Sequence, residues 1–168
     1  MNIKNPRAQW SLAFESLDAT RNFGKELGER IESPGLIAFY GDLGSGKTTL
    51  IQAIGNGLGV TGPITSPTYT FIDHHPGGNL PLLHVDCYRI EEPEDLYGLG
   101  LEEWLSGSSL VCMEWSEHAE DLLPHRRMEL KLEYRSPEQR NARLLLFGNL
   151  WPELDHWLDE RAEKQVEV

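Results

Sequence analysis

The sequence predicts a single-domain α/β fold, and three observations carry that prediction. A continuous apolar run, Leu36-Ile37-Ala38-Phe39-Tyr40, enters a glycine-rich turn, Gly41 to Gly46, and is followed by a segment with Leu50, Ile51, Ile54 and Leu58 on one helical face. Two further apolar runs, Leu82 to Val85 and Leu110 to Met113, each end on a carboxylate, Asp86 and Glu114. The length, 168 residues, fits one domain with a core of its own, so the domain spans 1–168.

The elements follow in order. Ser16-Leu17-Asp18-Ala19-Thr20 opens a helix whose apolar face is Leu17, Phe23, Leu27 and Ile31, and Ser33-Pro34-Gly35 ends it. The run 36–40 is short, apolar on both faces and bounded by glycines, as a doubly buried strand should be. Helix is expected from Lys47 to Leu58, then a loop to Pro67. Thr68 to His74 alternates and is rich in strand formers; Pro76-Gly77-Gly78-Asn79 turns the chain, and Leu80 to Val85 returns it as an antiparallel hairpin. A short acidic helical stretch starts at Glu91-Glu92-Pro93-Glu94-Asp95. Ser109 to Met113 is another buried strand, and Met128 to Tyr134 with Ala142 to Phe147 form a last strand pair. Leu150 to Ala162 is expected as an amphipathic helix burying Trp151, Leu154, Trp157 and Leu158.

Composition excludes several classes. No run approaches the ~18 apolar residues that span a bilayer, and the N-terminus lacks a signal-like apolar core, so a cytoplasmic protein without membrane contact is expected. The net charge of −12, with no dense basic run, opposes autonomous binding to DNA or RNA. Cys87 and Cys112 form no CxxC pair and read as buried thiols, and none of the six histidines falls in an HExxH arrangement.

Gly41-Asp42-Leu43-Gly44-Ser45-Gly46-Lys47-Thr48 matches G-x-x-x-x-G-K-[ST] in full, and the fold is therefore expected to be that of P-loop nucleotide-binding proteins. Each part has a task. The glycines let backbone N–H groups turn inward around phosphates, and the following helix presents its positive end to an anion. Lys47 neutralises the β- and γ-phosphates, the Thr48 hydroxyl ligates Mg²⁺, and Thr49 completes the nucleotide-binding stretch. Such a site needs a carboxylate at the end of a neighbouring strand, and Asp86 and Glu114 are the two candidates. Their positions alone leave open which touches the metal. Ser66-Pro67-Thr68, in the loop after the P-loop helix, offers a hydroxyl that can sense the γ-phosphate; taken alone it is an ordinary Ser-Pro turn. Asp95-Leu96-Tyr97-Gly98 fits the GTPase D-x-x-G, but no N-K-x-D guanine reader accompanies it. Leu105 to Ser109 partly matches L-S-G-G-Q without its second glycine or its glutamine.

GDLGSGKTT (41–49), SPTYT (66–70), HVDCYR (84–89), PEDLYGLGLEEWL (93–105) and MEWSE (113–117) occur in that order, and the series resembles the bacterial TsaE family over about residues 14–135. The phosphate loop is generic, whereas the other segments at these spacings are together specific. Family members often carry Phe or Leu at the positions of Val85 and Cys87, an apolar-for-apolar change. The resemblance implies a P-loop α/β domain with a mixed sheet, in agreement with the hairpin, and ATP with Mg²⁺ as ligands. It implies metal contacts from Thr48 and Glu114 and an active-site acid at Asp86; the expected catalytic set is Lys47, Asp86 and Thr68. Adenine contacts are implied near Leu17 to Thr20. It also implies action with TsaB-like and TsaD-like proteins in making threonylcarbamoyladenosine at position 37 of tRNA. TsaD would perform the transfer, ATP hydrolysis here would reset the complex, and tRNA would be met only through that complex. Two other readings compete: a small-molecule kinase, which the acidic 91–103 region opposes because a kinase lid needs cations, and a nucleotide-gated binding module.

Overall fold

Continuous apolar runs give each of the central strands two apolar faces, so helices must cover both sides of the sheet. A computed structural model describes residues 5–67 and 69–163. Its strands are Ala8–Phe14 (β1), Gly35–Tyr40 (β2), Ile72–His75 (β3), Leu82–Asp86 (β4), Leu110–Glu114 (β5), Arg127–Tyr134 (β6) and Arg140–Phe147 (β7). Its helices are Leu17–Arg30 (α1), Lys47–Leu58 (α2), Asp95–Gly98 (α3), Leu101–Ser106 (α4) and Asp155–Glu163 (α5), with 3₁₀ turns at Ser116–Leu122 and Pro152–Leu154. Strand order is β1-β7-β6-β2-β5-β4-β3. β4, β5, β2 and β6 run parallel, while β3 at one edge and β7 and β1 at the other are antiparallel to their neighbours. The sheet is therefore mixed, as expected.

Ile37 and Phe39 of β2, Leu110 and Cys112 of β5 and Leu82 of β4 face one core with Leu27, Leu50, Ile54 and Leu158 of α1, α2 and α5. Leu36, Val111, Met113, Leu83 and Val85 face a second core under α3, α4 and the 3₁₀ turn, with Leu96, Leu101 and Ala119. By the same two-residue period, His84, Asp86 and Glu114 fall on the α2 side.

Most predicted elements stand within a few residues of their expected bounds. Three differ. The strand expected over 68–74 begins only at Ile72, because Phe71 N–H bonds Pro67 O at 2.7 Å and Phe71 takes φ 64°, closing a turn that strand propensity does not reveal. The C-terminal helix starts at Asp155 after a 3₁₀ turn, with Trp151 at φ 46° breaking the expected run from Leu150. β1 is not among the expected elements: Gln9 and Ser11 are exposed while Trp10, Leu12 and Phe14 are buried, a strand alternation that runs on to Phe14 with no chemical motif to mark it.

α1 meets α2 at backbone distance through glycines. A Cβ on Gly28 would lie 2.2 Å from Ile54 O, and one on Gly57 2.0 Å from Lys25 O. This contact fixes the helix that begins at the phosphate loop. Gly28→Val is expected to destabilise the protein by about 1–3 kcal/mol through overpacking, read as a fall in the thermal midpoint of roughly 2–4 °C per kcal/mol at this size. Gly98→Ala, whose added Cβ meets nothing within 4 Å, is the control and should leave the midpoint unchanged.

Candidate active site

The phosphate loop joins β2 to α2 and its shape depends on glycine. Gly41 has φ 145°, and a Cβ there would lie 2.5 Å from Ser45 Oγ and 2.6 Å from Leu132 O. Lys47, the first residue of α2, is 5% exposed, and its ammonium donates to Gly41 O and to Asp42 O, the latter at 3.1 Å. The same Nζ lies 4.2 Å from the centre of the Trp115 ring. Burial pulls the Lys47 pKa down, and the carboxylates of Glu114, Glu117, Asp86 and Asp42 oppose that fall.

Asp86 and Glu114 are register partners at the carboxyl ends of adjacent parallel strands, β4 and β5. Such strand ends are where open α/β sheets bind ligands. Both are buried, at 3% exposure. Glu114 is held on two sides: Thr48 Oγ1 donates to its Oε1 at 2.9 Å, and His84 Nε2 meets its Oε2 at 2.6 Å. Asp86 Oδ2 accepts from the Ser66 hydroxyl at 2.8 Å, and Oδ1 accepts from the Tyr88 N–H at 2.9 Å. The phosphate loop, the switch-like loop at Ser66 and the two acids thus converge on one cleft of about 480 Å³.

Of the residues expected at the site, Leu43, Gly44, Gly46, Lys47, Thr48, Thr49, Asp86 and Glu114 line this cleft. Gly41 and Asp42 act through the carbonyls that hold Lys47, and Ser45 is buried behind the loop. Thr68 lies outside the described residues; Ser66, two positions before it, reaches the cleft. Leu17 to Thr20 do not line it, although Arg21 and Asn22 of the next turn line a smaller neighbouring cleft with Thr49.

Four participants were not singled out by their residue types. His84 and Tyr88 flank Asp86 within the HVDCYR segment, so their nearness was legible but their partners were not. Trp115 follows Glu114 at φ 56°, uncommon for a non-glycine residue, and this conformation turns its ring under Lys47. Arg140 reaches the phosphate loop from β7, where no local sequence signal points to it. Arg89, the cation that closes the HVDCYR segment, stacks 4.5 Å from the Tyr69 ring and does not line the cleft.

The model of the family described as "Threonylcarbamoyl adenosine biosynthesis protein TsaE" matches residues 14–142, a span that takes in Arg140. Several proteins named tRNA threonylcarbamoyladenosine biosynthesis protein TsaE are similar to this chain. The one from Nostoc sp. is 39% identical over 78% of this chain and 82% of its own length. The one from Bacillus subtilis is 37% identical over 68% and 71%, and the one from Streptomyces coelicolor 36% over 80% and 95%. The crystal structure of B. subtilis YdiB superposes with a TM-score of 0.78 at 27% identity, covering 91% of this chain and 95% of that one. The motif series, the mixed sheet and these matches agree, and the chain belongs to the TsaE family.

Proposed function

We propose that this protein is the ATPase subunit of tRNA threonylcarbamoyladenosine synthesis, binding Mg-ATP and acting with TsaB-like and TsaD-like proteins, in the cytoplasm, to reset their complex by hydrolysis. Membership of the family supports the pathway, and the names of the relatives carry the same words. Among the described residues no helix is long and apolar enough to cross a membrane.

The observation that carries the nucleotide reading is the Thr48–Glu114 hydrogen bond, which ties the hydroxyl after the P-loop lysine to the acid at the end of β5. A hydroxyl and a carboxylate are hard oxygen donors and suit Mg²⁺, which takes one or two protein ligands beside phosphates and water. Among the described residues no group of three or more His, Cys, Asp or Glu forms a metal cage, and a magnesium site of this kind requires none. Thr48 and Glu114 would hold the ion, which when bound neutralises charge developing on the transferring phosphoryl group. Lys47 offsets phosphate charge from inside the loop, and His84 keeps Glu114 Oε2 engaged so that Oε1 stays on the Thr48 side. In this reading Asp86, held by Ser66 and the Tyr88 N–H, orients a water and takes its proton. Its contact with Ser66 also links the acid to the loop that carries Thr68.

The two acids should therefore fail differently. Glu114→Ala is expected to lose the magnesium-dependent part of ATP affinity. Asp86→Ala is expected to bind ATP within a few-fold of the parent while hydrolysis falls by roughly 10²–10⁴. Calorimetry with and without magnesium, beside a phosphate-release assay with partners present, separates them. The reverse pattern would exchange the roles, and no effect from either change would remove the site.

A further inference from the structure

Arg140, the first residue of β7, is only 8% exposed, and among the described residues every hydrogen bond its guanidinium makes goes to a backbone carbonyl. Nε donates to Ser45 O at 2.9 Å and Nη2 to Gly44 O at 3.3 Å, both in the phosphate loop. Nη1 donates to Ser136 O at 2.6 Å and Gln139 O at 2.8 Å, in the turn between β6 and β7, with Pro137 O farther off at 3.4 Å. Its planar face stacks 4.8 Å from the Tyr134 ring centre. Among the described residues no carboxylate forms an ion pair with it. A buried cation balanced only by dipoles is costly unless an anion completes it. This one lines the cleft where the phosphates belong.

The carbonyls it holds have a second consequence. A trans peptide is planar, with C=O and N–H on opposite sides. Drawing Gly44 O and Ser45 O toward Arg140 turns the N–H groups of Ser45 and Gly46 the other way. The Ser45 N–H is taken up within the loop by Asp42 O at 3.0 Å, so of the two it is the Gly46 N–H, opposite Ser45 O, that Arg140 turns toward an incoming anion. Only a forked guanidinium can hold two successive loop carbonyls and still reach a separate turn; an ammonium is a single point.

We infer that Arg140 is a positioning residue for the phosphate loop, aiming its N–H groups and adding a second buried positive charge beside Lys47 for the polyphosphate of the nucleotide. The inference rests on the nucleotide reading given above. The charge acts through the field at the loop, so its effect grows with the number of phosphates, and the β6–β7 turn is mechanically joined to the nucleotide through one side chain.

The test is calorimetric titration of ATP, ADP and AMP at constant magnesium into the full-length protein, Arg140→Gln, Arg140→Lys and Lys47→Ala, with thermal melts of each. Arg140→Gln is expected to weaken ATP by about tenfold or more, since hydrogen bonds to a charged group are lost with the charge itself; ADP should weaken less and AMP least. Arg140→Lys should show a smaller loss in the same order. An equal loss for all three nucleotides, or none, would mean that Arg140 merely braces two loops, and the inference falls. If Arg140→Gln does not fold, Arg140→Lys decides by the same ranking. Lys47→Ala separates the two levels: if it leaves ATP binding intact, the nucleotide reading fails and this inference with it. If it abolishes binding while the Arg140 variants behave as the parent, the Arg140 assignment alone is wrong.

Discussion

Lys47→Ala is expected to lower ATP affinity by about a hundredfold or more, the largest binding effect of any single change in the molecule. The argument is one of uncompensated charge. Lys47 is 5% exposed, and its amine faces an interior that already contains Glu114, Asp86 and the carbonyls of Gly41 and Asp42. Burial alone pulls its pKa down, so the charged form is held by the anions around it. Polyphosphate adds further negative charge in the same place and strengthens that hold. Removing the amine leaves the phosphates to be desolvated beside two carboxylates with no cation in the loop, and the penalty remains after the attraction is gone. The fold should survive, because β2, α2 and their glycine contacts with α1 do not depend on the amine. Thr48→Ala should differ in kind, keeping nucleotide affinity without magnesium and losing the increment that magnesium adds. Calorimetry on both variants, with circular dichroism to confirm folding, reads the difference. Unchanged ATP affinity in Lys47→Ala would end the assignment of residues 41–48 to phosphate binding.

What could be read from the sequence, and what could not, divides by range. The phosphate loop is local: its glycines, lysine and threonine stand in eight consecutive residues, and the helix predicted from Lys47 to Leu58 has those bounds in the structure. The strand-end acids were legible because an apolar run ending in a carboxylate places that carboxylate at a sheet edge. That Asp86 and Glu114 are direct register partners needed the pairing of β4 with β5, which no local pattern states. Arg140 is the extreme case. It lies 95 residues from Ser45, in a strand whose pattern says only that Ala142, Leu144 and Leu146 face inward. Its contact exists because β6 runs parallel to β2 and the β6–β7 turn returns the chain beside the loop, a consequence of strand order alone. β1 is obscured for the opposite reason: the alternation of Trp10, Leu12 and Phe14 is local, but it carries no chemical motif, and its partner strand β7 lies far along the chain.

Hydrolysis by the isolated protein is expected to be slow, and TsaB-like and TsaD-like partners together are expected to raise it by up to ~10³–10⁵, the range seen when a P-loop enzyme receives a stabilising cation in trans. The expectation follows from where the cations sit. Lys47 is held by loop carbonyls, the Arg140 fork is engaged with five carbonyls, and Arg89 stacks on Tyr69 outside the cleft. None of the three stands free to follow the γ-phosphate as charge moves. The mouth of the cleft is meanwhile open and partly apolar: Leu43 at the loop tip is 89% exposed, and Tyr69 and Tyr88 are exposed beside the switch-like segment. Ser66 already bonds Asp86, so a docked protein that moves Ser66 would act directly on the acid proposed to orient the water. The exposed acids Glu91, Glu92 and Glu94 precede α3 and Asp95 opens it, and a basic partner surface would meet them first. Docking should then weaken as salt rises, since exposed charges are screened within about 8–10 Å at physiological ionic strength. With a net charge of −12, the protein alone should bind no tRNA at physiological salt, which a mobility-shift control would check. The decisive measurement is phosphate release with each partner added singly and then together, repeated over a salt series and with Glu91, Glu92, Glu94 and Asp95 changed to the corresponding amides. Acceleration that needs both partners, and that falls with salt and with the amides, is the expected result. Equal rates with and without partners would remove the regulatory-subunit reading and leave a P-loop kinase as the next to test.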